Sequence, residues 1–392
     1  MLKDLIIYTP MYVTFFWSAV LLLTTTANNR AKKFLAFFMI AAFLVYLSHA
    51  LYFKQNLHGY LFFDSFYTLA SLSVYPLYYW YIKLLTIETS YDLNNLKFLA
   101  PAAVMSILCG GVYILMQPEE RMDYLHGFLL NKEVEMNTST LVQIQKTVYY
   151  ISRLIFATQV IYFVLRGRKL VIRYNKRVAN FYSNLESRTI VWVNLLLYSF
   201  VATSVMSIVF NILGRQIFLQ SLILLLIPSL IFSVLLFLIG LLGYMQNHTV
   251  EDIEKDERQQ PEKNLKNYNH TQLKEQILHL FATEKIYLNS DLKITQVSAK
   301  LKTNRTYVSN LINNEFACSF SEFVNRYRIE EAKRMLENNG LTNYSLNYIS
   351  EAVGFGSLNT FIRVFKETEG ITPGNFRIRN QLAPSKNGAT QK

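Results

Sequence analysis

The chain has 392 residues, of which 52% are hydrophobic and 17% charged, with a formal net charge of +12. That apolar share excludes a disordered polypeptide, and a count of two cysteines excludes a small scaffold stapled by disulfides. The apolar residues are concentrated in the first five-eighths of the chain, which excludes a single evenly built soluble domain.

Apolar windows of roughly 20 residues, the length that crosses a ~30 Å hydrocarbon core as helix, recur at 6–26, 34–53, 64–85, 98–116, 147–165, 190–213 and 218–243. Any one of them alone reads equally as a buried helix of a soluble core. Seven in series, with almost no charge inside, predict a seven-span transmembrane helical bundle over 1–245. Only Lys3 and Asp4 precede the first window, and Arg30, Lys32 and Lys33 follow it. This order suits an uncleaved first span with its N-terminus outside.

The loops set the orientation. Arg166, Arg168, Lys169, Arg173, Lys176, Arg177 and Arg188 lie between the fifth and sixth windows against Glu186 alone. The loop before the fifth window carries Glu119, Glu120, Asp123, Glu133 and Glu135 against Arg121 and Lys132. Lys and Arg stay on the cytoplasmic side, so the chain is expected in a cell's inner membrane with everything after Tyr244 in the cytoplasm. Residues 1–249 hold 19 Lys and Arg against 10 Asp and Glu, whereas 250–392 hold 20 against 17. Most of the positive excess is therefore topogenic. Cys109 and Cys318 fall on opposite sides of this topology, so no disulfide joins them.

From 246 to 270 the sequence reads as a charged linker helix: Glu251, Asp252, Glu254, Lys255, Asp256, Glu257 and Arg258 mix signs before Pro261 stops it. A relay rod and a plain tether fit this pattern equally well in chemistry. Over 271–380 the pattern becomes that of soluble helices, with 381–392 expected as a disordered tail. Leu273, Ile277, Leu280 and Phe281 form one buried stripe. The unit 294–312 and the unit 349–365 then align as two copies. Val297 matches Ile349, Ser298 Ser350, Leu301 Val353 and Lys302 Gly354. After one extra residue, Asn304 matches Ser357, Val308 Phe361 and Ile312 Phe365. Each copy is a short helix, a tight turn and a capped second helix, the helix-turn-helix plan. One longer amphipathic helix, 319–338, joins them.

The second copy, Gly354-Phe355-Gly-Ser357-Leu-Asn-Thr-Phe361-Ile-Arg363-Val-Phe365-Lys366 closed by Gly370-Ile-Thr372-Pro373-Gly-Asn-Phe376-Arg377, resembles the second helix-turn-helix of the AraC/XylS family of bacterial transcription regulators. Arg328-Ile-Glu-Glu-Ala332-Lys-Arg-Met-Leu336 resembles that family's connecting helix. The resemblance implies an AraC-type double helix-turn-helix domain that reads promoter DNA; with the spans read above, the chain is expected to be all-α, a seven-span transmembrane helical bundle followed by this domain in the cytoplasm. Three positions depart from the family pattern. Ser298 and Ser350 replace a small Ala, Lys302 replaces a turn Gly, and Ala317-Cys318 stands where a Gly often ends the recognition helix.

Helix geometry turns Val308, Leu311 and Ile312, and Phe361, Val364 and Phe365, toward the core. That leaves Asn304, Arg305, Thr306, Tyr307, Ser309, Asn310 and Asn313 in the first motif for DNA. In the second it leaves the cap Ser357 with Leu358, Asn359, Thr360, Arg363 and Lys366. Asn suits the adenine edge and Arg the guanine edge; an exposed Asn or Arg can equally cap, solvate or touch phosphate.

No phosphate loop, metal spacing, paired intramembrane carboxylates or phosphotransfer motif appears, so neither an enzyme nor a cofactor is expected. His49, Asp64 and Arg153 are ionisable groups within or beside spans, where such groups are costly. They read either as a pocket for an anionic or polar ligand, or as interfacial and snorkelling side chains. Two functions follow. In one, the membrane half senses a small molecule or membrane signal and controls the reader. In the other it is an anchor or transporter-like module and partner proteins exert control. Double-stranded promoter DNA, the lipid bilayer, RNA polymerase and a second copy in a homodimer are the expected partners.

Overall fold

The computed structural model describes residues 2–24, 30–87, 91–130, 139–186, 188–190, 192–194, 198, 201–202, 205, 221–246, 249–258, 269–337 and 344–382. Among these residues the chain is helical, apart from an isolated antiparallel bridge between Tyr182 and Lys293. It divides into two compact units, one of residues 1–172 and 190–250, the other of 173–189 and 251–392.

The first unit contains α1 (Leu2–Thr24), α2 (Arg30–Phe53), α3 (Leu57–Thr86), α4 (Ala100–Leu115), the short α5 (Pro118–Asp123), most of α6 (Thr140–Phe181) and α7 (Leu222–Met245). Among the described residues, five stretches are long and apolar enough to cross a membrane: Leu2–Thr24, Arg30–Phe53, Leu93–Leu115, Thr140–Phe181 and one that begins at Leu222. The count of seven expected from hydropathy windows is thus not confirmed among the described residues. The sixth window, 190–213, lies mostly outside the described residues. The third corresponds to α3, which is 30 residues long but carries Asp64, Lys83 and six tyrosines. Its polarity has a packing reason, because Tyr75, Tyr78, Tyr79, Trp80 and Tyr81 are all buried. Its second half is thus an inner helix, while Phe62 and Phe66 of its first half are exposed.

Large apolar side chains lie on the outside of this unit as well as in its core, and some polar ones lie inside. Ile107, Ile114, Leu154 and Ile223 are exposed, while Thr14, Ser48, Thr68, Gln145 and Ser233 are buried. Several buried hydroxyls return to their own helix: Thr14 Oγ1 donates to Pro10 O at 2.9 Å and Ser233 Oγ to Ser229 O at 2.7 Å. Local bonds of this kind satisfy the hydroxyl without a second helix. Glycine sets the packing of α7, since a Cβ on Gly240 would lie 2.2 Å from the Trp17 ring of α1 and one on Gly243 equally near Leu35 of α2. Close approach at small residues is how apolar helices associate without a hydrophobic driving force.

The second unit opens with the last residues of α6 from Arg173 and continues through α8 (Val250–Arg258, from Glu251) and α9 (His270–Glu284). It then runs through α10 (Ile294–Lys300), α11 (Arg305–Glu315), α12 (Phe320–Glu337), α13 (Leu346–Ala352), α14 (Leu358–Glu369) and α15 (Pro373–Leu382). The stripe Leu273, Ile277, Leu280 and Phe281 is buried as its spacing predicts. At 42 residues α6 is about 63 Å long, twice what a bilayer needs. Its continuation into the second unit was not legible from hydropathy, which placed 173–189 inside 1–245. Pro261 and residues 383–392 lie outside the described residues.

Candidate nucleic-acid interface

Two helix pairs, α10–α11 and α13–α14, repeat one geometry. Asn304 caps α11 by accepting from Thr306 N at 2.8 Å, and Ser357 caps α14 by accepting from Thr360 N at 3.3 Å. The turns close on the same bond: Thr303 N–H donates to Ser298 O, and Phe355 N–H to Ser350 O, each at 2.9 Å. Both turns need a left-handed residue, with φ +91° at Gly354 and +53° at Lys302. Only the second position demands glycine. A Cβ on Gly354 would sit 2.5 Å from Leu288 O, whereas Lys302 is exposed and accepts the modest cost of a positive φ. Ala317, where a glycine was expected, likewise takes φ +49°.

Val308, Leu311 and Ile312 are buried under α11, and Phe361, Val364 and Phe365 under α14. The second set joins Ile329, Ala332 and Leu336 of α12 in one core, so the connecting helix carries the second motif directly. A family model described as a helix-turn-helix domain matches residues 297–379. The HTH-type transcriptional regulator YtdP of Bacillus subtilis (strain 168) is 34% identical over 105 residues, covering 27% of this chain and 13% of that protein. YfiF of the same organism is 37% identical over 90 residues, 23% of this chain and 27% of that protein. Residues 297–379 are an AraC-type DNA-binding domain.

The match therefore spans well under a third of either relative. A solved structure, the C-terminal domain of the two-component response regulator yesN from Fusobacterium nucleatum, is also similar. It shows 32% identity, covering 26% of this chain and 96% of that one, with a TM-score of 0.24.

Of the positions expected to face DNA in the AraC-type domain, Thr306, Tyr307, Asn310, Asn359, Arg363 and Lys366 are exposed. Asn304, Arg305, Ser309, Asn313, Ser357 and Thr360 are half-buried. Asn304 and Ser357 are engaged as caps, and Asn313 Nδ2 donates to Ser309 Oγ at 3.3 Å. Arg363 pairs along its helix with Glu367 at 3.0 Å, a surface pair of little energetic weight that a base edge can replace. Leu358 is half-buried and packs against the Phe361 and Phe365 core.

Ser298 and Ser350, both fully buried, behave differently. Ser298 Oγ donates to Thr295 O at 3.0 Å, but the Ser350 hydroxyl has no hydrogen-bond partner. Only the first serine thus bonds back to its own helix. Because an unsatisfied buried polar group costs about 1–3 kcal/mol, Ser350→Ala is expected to stabilise the domain by about 1 kcal/mol. Ser298→Ala should instead be destabilising by about 0.5–1 kcal/mol. Denaturant unfolding of the two variants beside the parent checks the pair.

Residues missed by sequence reasoning come from 181–186 and Arg188, which pack on this domain. Ser183 N–H donates to Leu292 O at 3.0 Å, and Ser321 Oγ donates to Ser183 O at 2.9 Å. The buried Arg328 of α12 reaches Tyr287 O at 2.8 Å, Asn289 O at 2.7 Å and Ser183 Oγ at 3.1 Å. Burial pushes its guanidinium down to about 10, so it stays charged at neutral pH. The signal for it existed, because Val324, Arg328, Ala332 and Leu336 follow one another at i,i+4 on the buried stripe. Asn184 lies against Gly356, where an added Cβ would come within 2.3 Å of its Nδ2. Thr360 Oγ1 donates to Glu186 Oε2 at 3.4 Å, and the Arg305 guanidinium lies 5.8 Å from the Phe181 ring centroid.

Two further ties hold this segment to α8 and the domain. Asp256 of α8 accepts from Tyr182 OH at 2.6 Å and pairs with Lys293 at 2.9 Å. Burial pushes the Asp256 carboxyl up, but these two donors outweigh it and hold it below the usual range. Arg188 pairs with Asp291 at 2.6 Å.

The other expected site lies in the first unit. Asp64 and Arg153 line one cavity there. His49 does not line it, but its ring lies 5.5 Å from that of Tyr67, which does.

Proposed function

We propose that this protein is a membrane-embedded transcription regulator whose AraC-type domain reads promoter DNA under the control of its membrane half. The observation that carries the control is the position of 181–188. These residues follow α6 in the chain, fold with the DNA-binding unit and touch both helix-turn-helix motifs, at Arg305 and Thr360. Membrane embedding is supported by five long apolar stretches that also present large apolar side chains outward, among them Ile107, Ile114, Leu154 and Ile223. Its orientation, with the DNA-binding unit in the cytoplasm, is supported by the basic residues of 166–188 against the acidic Glu119, Glu120 and Asp123.

The chemistry of the contact is inhibitory. Glu186 meets the first turn of α14, where the exposed N–H groups and the helix dipole favour an anion. On DNA that anion is a phosphate. While Glu186 and Phe181 occupy Thr360 and Arg305, two DNA-facing residues are engaged within the protein. A signal that moves the α6 continuation frees both recognition helices together.

Site-specific binding by the full chain in detergent, at fixed salt, tests this reading. Arg363→Ala and Asn310→Ala should each weaken cognate binding by about 1–3 kcal/mol. Glu186→Gln should strengthen it about two- to fivefold, the weight of one charge at a helix terminus. Arg363→Ala binding cognate and random DNA as the parent does would overturn the reading face, and no gain from Glu186→Gln would overturn the inhibitory contact.

A further inference from the structure

Within the first unit, α3, α4, α6 and the segment Tyr124–Leu129 that follows α5 line a cavity with Asp64, Cys109, Tyr124, Gln145, Tyr149 and Arg153 among others. Its polar groups form a directed chain. Tyr113 OH donates to Asp64 Oδ2 at 2.8 Å, and the Cys109 thiol faces the same oxygen at 3.9 Å. Gln145 Nε2 donates to Cys109 Sγ at 3.1 Å. A thiol has one proton. Given to Asp64, it leaves the sulfur able only to accept, which fixes the Gln145 amide with its nitrogen toward Cys109. The carbonyl oxygen Oε1 is then left over. It has no partner, although Gln145 is only 1% exposed, and the same holds for the hydroxyl of the fully buried Tyr124.

Buried polar atoms without partners are rare because each forfeits its hydration. Here two of them share a cavity with a carboxylate, so the cavity offers acceptors: Gln145 Oε1, the Tyr124 oxygen and Asp64. The complementary group carries several N–H donors and positive charge. A primary ammonium has three donors and no acceptor. Arg153, the group that would draw an anion, is already turned onto aromatic partners. Its guanidinium lies 4.9 Å from the Tyr149 ring centroid and donates to Tyr67 OH at 3.3 Å.

We propose that this cavity binds a small primary ammonium compound through Asp64, Gln145 Oε1 and the Tyr124 hydroxyl. This names the ligand class of the sensing half and in that respect rests on the function proposed above. Occupancy satisfies both orphaned atoms and braces α3 against α6, the helix whose far end enters the DNA-binding unit.

The test is thermal unfolding of the full chain in detergent with ethylammonium chloride, sodium acetate or sodium chloride at equal ionic strength. Ethylammonium should raise Tm by about 2–4 °C near ten times its Kd, while the two sodium salts should leave Tm unchanged. Asp64→Asn and Gln145→Met should each remove the response. Gln145→Met keeps the side chain's length and carries the test should Asp64→Asn fail to fold. A response to acetate alone, no response to ethylammonium, or a full response in Gln145→Met would each overturn the proposal. A Tm response with unchanged DNA binding would keep the site and remove the sensing function. Signal-dependent DNA binding with no Tm response would do the reverse.

Discussion

Phe361→Ala is expected to destabilise the second helix-turn-helix by about 3–5 kcal/mol, the usual cost of truncating a core aromatic. Phe361 is fully buried, with its ring centroid 5.4 Å from that of Phe355 in the turn and 5.7 Å from that of Phe365 one helical turn on. The same core holds Ile329, Ala332 and Leu336 of α12 and Ile349 of α13. A cavity there removes the surface on which α13, α14 and α12 converge, and the surrounding helices cannot all collapse into it. Domains are stable by only about 5–15 kcal/mol, so the loss is a large part of the total. Hydrogen exchange on the full chain should show α13 and α14 losing protection before α10 and α11. Asn359→Ala, two residues away but exposed, should change stability by less than about 0.5 kcal/mol. Equal protection in Phe361→Ala and the parent would contradict this core assignment.

The second large effect belongs to Arg328. Its guanidinium is buried, yet it donates to two backbone carbonyls, of Tyr287 and Asn289, and to the Ser183 hydroxyl. Arg328→Met keeps much of the volume but leaves those carbonyls without their donor. At about 1–3 kcal/mol for each unsatisfied group, the expected cost is about 3–5 kcal/mol. Arg328→Lys should recover less than half, because a single ammonium cannot reproduce the fork that spans three acceptors. The variant has a second signature that a merely structural residue would lack. Since one of the three partners is Ser183, residues 181–188 should become cleavable by protease in Arg328→Met before α11 or α14 does. Limited proteolysis of the full chain reads the order, and simultaneous cleavage would contradict the role of Arg328 in holding the segment.

The DNA reader was legible in the sequence because its determinants are local. Phe361 and Phe365 four apart, Ser357 before them and Gly354 at the turn each act within a few residues. The alignment of the two copies paired Lys302 with Gly354, and both residues take a left-handed conformation. What stayed hidden depends on partners distant in sequence. Ser183, Asn184 and Glu186 carry no motif, and their meaning comes from Arg328, Gly356 and Thr360, roughly 140–175 residues on. The window 64–85 was legible as α3, but not its packing, because the burial of Tyr78 and Tyr81 depends on other helices. The cavity at Asp64 and Arg153 was half visible as ionisable groups. Its unpartnered atoms, on Gln145 and Tyr124, belong to residue types that draw no notice in a sequence.

Locking residues 181–188 onto the DNA-binding domain tests the account most directly. The Asn184 Cγ lies 3.2 Å from where a Cβ on residue 356 would stand, a separation within reach of a disulfide between cysteines at the two positions. In the full chain carrying Asn184→Cys and Gly356→Cys, oxidation should lower cognate DNA affinity at least about tenfold, since the binding-competent state is no longer populated. Reductant should restore it. An oxidised, cross-linked chain that binds promoter DNA as tightly as its reduced form would contradict control through this segment.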